Sequence, residues 1–96
     1  MIPYSRQWIN KDDIREVVNV LKSSFITQGP KVKEFEDSLA RYCDAKYAVA
    51  FSSGTAALHA AYYAAGICVG DEVITSPLTF AATANMLLAV GAMPVF

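Results

Sequence analysis

Tyr47-Ala48-Val49-Ala50-Phe51-Ser52-Ser53-Gly54-Thr55-Ala56-Ala57-Leu58-His59-Ala60-Ala61-Tyr62-Tyr63-Ala64-Ala65-Gly66 decides the fold class. Tyr47–Phe51 is a short apolar run of strand length and predicts a buried strand. Ser52-Ser53-Gly54-Thr55 is turn chemistry, and Ala56–Ala65 reads as a small-residue helix that Gly66 stops. A buried strand feeding a helix through a tight turn opens a βαβ unit.

The alternation continues downstream. Gly70-Asp71-Glu72 is a turn, and Val73-Ile74-Thr75 is a second buried strand ended by Pro77. Thr79–Val90 is a second apolar helix closed by Gly91, and Met93-Pro94-Val95-Phe96 begins a third strand. Strand–helix–strand–helix–strand with near-continuous apolar strands implies right-handed crossovers and a mostly parallel sheet covered on both faces. The fold class is α/β.

Upstream, two amphipathic helices precede the sheet. Asn10 is a good N-cap, and Asp12 and Asp13 in the first turn complement the helix dipole. Ile14, Val17, Val18 and Leu21 follow at i, i+3, i+4 and i+7, so a helix running to about Ser23 carries one apolar stripe. Phe25-Ile26-Thr27-Gln28-Gly29 breaks the period as an extended loop. Pro30 suits the first position of a second helix, striped by Val32, Phe35, Leu39 and Tyr42 or Cys43. The Lys31–Asp37 cluster reads as its solvated face. The organisation expected is therefore 1–46, a helical segment with its loop, and 47–96, the start of an α/β domain.

Charge divides the chain at the same place. All 8 Lys and Arg and 7 of the 9 acids precede Tyr47, and only Asp71 and Glu72 follow it. A free-standing domain of this size buries only about 60 % of its unfolded surface and needs charged faces all round. The second half lacks them, so the expectation is a fragment of a larger α/β protein. With 54 % apolar and 18 % charged residues the chain is not intrinsically disordered. A net charge of −1 gives no field for nucleic acid or an anionic membrane. The longest apolar stretch, Leu78–Met93, is interrupted by Thr79, Thr83 and Asn85 and falls short of the roughly 20 residues of a spanning helix. Met1-Ile2-Pro3-Tyr4-Ser5-Arg6 lacks the basic and apolar regions of a signal peptide, so none is expected, and Cys43 and Cys68 lack C-x-x-C spacing or an evident base. Two reduced, structural thiols in a cytoplasmic protein are expected.

Ligands of open α/β sheets bind beyond the carboxyl ends of the strands. At the first such end, Gly54 permits close backbone approach, and the Thr55 and Ala56 N–H groups lie at the positive end of a helix dipole. Ser53 and Thr55 add hydroxyls. This suits one phosphate group, although Ser53 or Thr55 acting only as a helix cap is the more economical reading of the pattern alone. Neither G-x-x-x-x-G-K-[ST] nor G-x-G-x-x-G is present, which disfavours nucleoside triphosphates and dinucleotides. At the second strand end, Phe80 falls at the start of the next helix, where an aromatic face could stack on a flat ring; in isolation, a core Phe is the simpler reading. His59 reads as a packed histidine, and Tyr62 and Tyr63 as packing residues.

Taken together, these blocks resemble the DegT/DnrJ/EryC1/StrS family of sugar-nucleotide aminotransferases, pyridoxal-phosphate enzymes of fold type I. The carrying residues are Phe25–Pro30 with Phe35-Glu36, Ser52–His59, Gly70–Ile74, Thr79–Asn85 and Gly91–Phe96, five blocks spread over nearly all of the chain. Ile2-Pro3-Tyr4-Ser5 and Thr79–Asn85 further resemble the branch that aminates C4 of a UDP-linked 4-keto-6-deoxy-N-acetylhexosamine in pseudaminic acid biosynthesis. The resemblance implies the N-terminal part of the fold type I large domain, with pyridoxal phosphate as cofactor. It places the phosphate on Gly54, Thr55 and Ala56, and the cofactor-ring aromatic on Phe80. Substrate contacts would fall on Tyr4, Ser24, Phe25, Ile26 and Thr27. It implies a UDP-sugar substrate, an amino donor such as glutamate, and a homodimer.

The family's Schiff-base lysine would lie beyond residue 96, and Lys11, Lys22, Lys31, Lys33 and Lys46 are not placed to replace it. The 96 residues alone are therefore expected to be inert. Two alternatives stay open at this point: a dehydratase of the same family, and a non-catalytic α/β binding module.

Overall fold

The computed structural model describes residues 2–96. Its elements are α1 (Lys11–Leu21), α2 (Pro30–Tyr42), α3 (Gly54–Ala64), β1 (Glu72–Ile74), α4 (Ala82–Ala89) and β2 (Met93–Val95). They fall into two compact units, Met1–Ala48 and Val49–Phe96.

In the first unit, α1 starts where the sequence places its cap. Asn10 Oδ1 accepts the N–H groups of Asp12 at 2.7 Å and Asp13 at 3.1 Å. The Asp13 carboxylate in turn accepts the Asn10 N–H at 2.9 Å, which closes a capping box. Gly29 and Pro30 open α2 without a side-chain cap, because Pro30 has no N–H to satisfy. Lys31, Lys33, Glu34 and Asp37 on the charged face of α2 are exposed as expected, while Glu36 is half-buried, and Lys31 does more than solvate the face. Its Nζ lies 2.8 Å from Glu34 and 3.2 Å from Glu16 of α1, so one ammonium ties the two helices. Helix α2 ends on Asp44 at φ +50, with the Ala45 N–H returning to the Ala40 carbonyl at 2.9 Å and the Asp44 N–H to Arg41 at 3.3 Å. That is a Schellman closure with aspartate where glycine is usual.

In the second unit, β1 and β2 pair in parallel with Glu72 opposite Met93, Val73 opposite Pro94 and Ile74 opposite Val95. Two further bonds extend the ladder: Met93 N–H to the Asp71 carbonyl and Thr75 N–H to the Val95 carbonyl, both 2.8 Å. Helix α4 makes the crossover that parallel strands require. Its Leu87 is 0 % exposed and, with Ala82 and Ala92, forms the core of this unit. The alanine-rich α3 packs on α4, and the partly buried Tyr62 Oη donates to the Thr83 carbonyl at 3.2 Å. Gly66 and Gly91, at φ +79 and +85, close α3 and α4 with the same two-bond motif that ends α2.

Several expectations are corrected. Tyr47–Phe51 is neither helix nor strand, and Tyr47, Val49 and Phe51 are exposed. Strand character comes from a ladder, and among the described residues the ladder is β1 with β2. An apolar run signals a demand for burial; it does not name the pairing partner. β1 is likewise not buried, since Ile74 is 87 % exposed in a sheet only two strands wide. Helix α3 starts two residues earlier than expected, at Gly54, because Ser53 caps it. Helix α4 starts at Ala82 rather than Thr79, so Phe80 precedes it.

Candidate functional site

The turn into α3 is built on Ser53. Its backbone is extended, at φ −159 and ψ 160, and its Oγ accepts the Ala56 N–H at 3.1 Å. The Ser53 carbonyl accepts the Ala57 N–H at 3.0 Å. The Ala56 N–H, expected to face a ligand, is therefore already satisfied, and the capping role weighed for Ser53 is present. The N–H groups of Gly54 and Thr55, the first two helical positions, remain directed away from any intrahelical carbonyl. A β-carbon placed on Gly54 would meet no atom within 4 Å, so this glycine leaves open space at the helix end. No lysine or arginine lies in this unit, so what the unit itself offers an anion is backbone dipoles and hydroxyls.

Phe80 lies in the β1-to-α4 connection and is 80 % exposed, so it is not part of the core of this chain. Its carbonyl accepts the Thr83 N–H at 3.1 Å, so its backbone is tied to the first turn of α4 while its ring is open. Ser76 Oγ accepts the Leu78 N–H at 3.2 Å and tightens the same connection. Gly54, Thr55, Ala56 and Phe80 thus share the unit Val49–Phe96, each at or just before the N-terminus of a helix.

The residues assigned to substrate belong to the other unit. Tyr4, Ser24, Phe25, Ile26 and Thr27 are all exposed. The loop joining α1 to α2 is held by Ser23, whose Oγ donates to the Val20 carbonyl at 2.8 Å and accepts the Phe25 N–H at 3.3 Å. A β-carbon on Gly29 would come 2.9 Å from Phe25 Cβ, so glycine is required for the loop to close on itself. Phe25 and Ile26 line one concavity of about 230 Å³ with Val20, Pro30 and Val32; Tyr4, Ser24 and Thr27 do not line it.

Two minor readings also change. His59 is exposed rather than packed, and with Phe51, Ala56, Ala60 and Tyr63 it lines an open concavity of about 480 Å³. The spacing of Ala56, His59, Ala60 and Tyr63 at i, i+3, i+4 and i+7 carried that signal. Both cysteines are free and exposed. Among the described residues no cluster of His, Cys, Asp or Glu could hold a metal, and no helix is long and apolar enough to cross a membrane.

Comparison with known proteins gives these features a setting. The chain is 53 % identical over 95 residues to the Bacillus subtilis spore coat polysaccharide biosynthesis protein SpsC, covering 99 % of this chain and 24 % of that one. It is 45 % identical, with the same coverage, to the UDP-4-amino-4-deoxy-L-arabinose–oxoglutarate aminotransferase of Shewanella sediminis. Among solved structures, Spr1654 of Streptococcus pneumoniae in its PLP form superposes with a TM-score of 0.90 at 40 % identity, covering 98 % of this chain and 24 % of that one. PseC of Helicobacter pylori, an aminotransferase involved in pseudaminic acid biosynthesis, superposes at 0.91 with 41 % identity, covering 98 % and 26 %. The pneumococcal protein is also solved in a PMP form. The chain spans about a quarter of the length of the curated relatives it matches. Residues 7–96 match the DegT/DnrJ/EryC1/StrS aminotransferase family, and the chain belongs to that family.

Proposed function

We propose that this chain supplies the phosphate turn and the ring-facing aromatic of a pyridoxal-phosphate-dependent sugar-nucleotide aminotransferase. The carrying observation is the start of α3, where Gly54 and Thr55 hold the first helical N–H positions at the positive end of the helix and a β-carbon on Gly54 would meet no atom within 4 Å. In this reading Gly54 and Thr55 donate to the cofactor phosphate, with the Thr55 hydroxyl adding a third donor. Ala56 contributes the first-turn dipole and surface, while its own N–H stays with Ser53. Phe80 presents its exposed face to the pyridine ring. When bound, pyridoxal phosphate supplies the electron sink for amino-group transfer. The chain's own part is to hold and orient.

The substrate we assign is a UDP-linked 4-keto-6-deoxy-N-acetylhexosamine aminated at C4, with glutamate as donor, in the pseudaminic acid branch. Likeness to PseC and to the Shewanella enzyme, whose names carry pseudaminic acid, a UDP-sugar and oxoglutarate, supports this choice. Tyr4 and the loop Ser24–Thr27, exposed on the first unit, would meet that sugar nucleotide. The same reading makes 1–46 the substrate-side segment and 47–96 the beginning of the cofactor domain, in a cytoplasmic homodimer. The five lysines all lie in Met1–Ala48; Lys31 and Lys33 are engaged in ion pairs, and Lys46 sits 5.2 Å over the Tyr47 ring. In this reading none of the five forms the Schiff base, and the 96 residues by themselves are expected to show no transamination.

Titrating the native-length protein with pyridoxal phosphate, pyridoxal and NAD, followed by visible circular dichroism, tests the cofactor reading. Pyridoxal phosphate should saturate, and pyridoxal should bind at least about tenfold more weakly, because a charge-assisted phosphate contact is worth about 1.5–3 kcal/mol. Equal binding of pyridoxal, or displacement by NAD, overturns it. Release of 2-oxoglutarate from glutamate with the 4-keto UDP-sugar, and not with its 3-keto isomer, tests the substrate.

A further inference from the structure

Packing of α3 on α4 accounts for the ring of Tyr62, but neither packing nor the proposed cofactor contacts account for its hydroxyl. The residue lies in α3, eight residues and about 12 Å along the helix from Gly54. From there its hydroxyl reaches the Thr83 carbonyl of α4 at 3.2 Å, in partly buried surroundings. The same residue, Thr83, sends its N–H to the Phe80 carbonyl at 3.1 Å. Thr83 is thus held on both sides: its N–H fixes the backbone of Phe80, and its C=O is fixed by the helix that begins at the phosphate turn. Phe80 itself is 80 % exposed within this chain, and the tie these residues give it is through its backbone, by way of Thr83. Thr83 sits within the first turn of α4, where end-fraying is easiest and a tie from a neighbouring helix matters most.

We infer that Tyr62 is a positioning residue that fixes the angle between the α3 phosphate turn and the Phe80 ring, and so the plane in which a phosphate-anchored aromatic cofactor is held. This rests on the reading of Gly54, Thr55 and Phe80 given above. The hydroxyl, not the ring, is the operative group: phenylalanine at 62 keeps the helix-to-helix packing and drops only the donor. Losing one neutral, partly buried hydrogen bond shifts a local equilibrium about fivefold, enough to release a turn while leaving the unit folded.

The test uses the native-length protein saturated with pyridoxal phosphate. Tyr62→Phe should keep one cofactor per site and a tight phosphate contact, yet lose about half or more of the induced ellipticity of the bound cofactor. Phe80→Leu should lose a comparable amount, and the double variant should lose no more than either, since both act on one geometry. Placing 4-aminophenylalanine at 62, which retains a donor at the ring's para position, should restore the signal and guards against an effect of misfolding. Full ellipticity in Tyr62→Phe, additive losses in the double variant, or no rescue by the amino analogue overturns the inference. A wild-type protein that binds no pyridoxal phosphate, or Phe80→Leu with an unchanged band, removes the cofactor reading and this inference with it.

Discussion

Val69 Cγ2 lies 2.5 Å from the point where a β-carbon on Gly91 would stand. Gly91 also sits at φ +85, so two separate costs exclude a side chain there. Gly66, at φ +79 with open space around it, carries only the second, the backbone cost. Gly91→Ala should therefore destabilise the protein by about 3 kcal/mol and Gly66→Ala by about 1 kcal/mol. Urea midpoints measure both. Val69→Ala should recover part of the Gly91→Ala loss and none of the Gly66→Ala loss; equal costs at the two glycines would contradict the crowding argument.

Asp44 holds the left-handed position that ends α2, at φ +50, where a β-carbon is strained. Asp44→Gly should raise stability by about 1 kcal/mol despite enlarging the unfolded ensemble. A thermal midpoint that falls instead would show that the Asp44 side chain supplies something glycine cannot.

Leu87 and Phe80 separate packing from binding within one unit. Leu87→Ala empties a fully buried site and should cost about 3 kcal/mol. Phe80→Leu and Gly54→Ala alter exposed or open positions and should change stability by less than about 0.5 kcal/mol. The proposed function requires the opposite order for pyridoxal phosphate, with Gly54→Ala and Phe80→Leu weakening or disordering its binding. A large stability loss in Gly54→Ala would undermine the view that its open space is reserved for a ligand.

The Lys31 bridge makes a pH prediction. Hydrogen bonding and charge attraction from Lys31 hold the Glu16 carboxyl below its ordinary value of 4.5, while Glu34 and Glu16 raise the Lys31 ammonium above 10.5. A lowered carboxyl contributes above pH 4.5 and is lost as pH falls through its folded value; a raised ammonium contributes below 10.5 and is lost as pH rises through its own. The bridge is intact between those limits. Carbon-13 titration of Glu16 should give a midpoint below 4.5 that Lys31→Met moves back up, and about 1 M salt should do part of the same because both groups are solvent-exposed. An unmoved midpoint would mean that the pair does not persist in solution.

The helices were legible because their signals are local. Asn10 with Asp13, Pro30, Gly66 and Gly91 each specify a helix end through atoms within a few residues, and all four stand where their chemistry puts them. Family membership was legible in the ordered blocks from Phe25 to Phe96. What failed depends on distant partners. Tyr47–Phe51 has a strand's composition, but pairing is a property of two segments. Ser53 as a helix cap, the more economical reading of its local pattern, is present in the bond from the Ala56 N–H to its oxygen. Neither the reach of Tyr62 to Thr83 nor that of Lys31 to Glu16 follows from any periodicity, since each crosses between helices.

Parallel pairing also couples the ladder to its crossover helix. Antiparallel strands can zip from a tight turn, whereas Glu72–Ile74 and Met93–Val95 meet only after the chain has doubled back through α4. Until α4 shortens the intervening chain, the ladder must close a loop of nearly twenty disordered residues, and its few hydrogen bonds are a poor return for that lost entropy. Helix and ladder should thus form in one step and open in one step. Amide exchange at Thr75 and Met93, the donors at either end of the ladder, should track exchange within α4 as a single cooperative block. The block is contiguous in sequence, so a nascent chain can complete it without waiting for any segment synthesised far away.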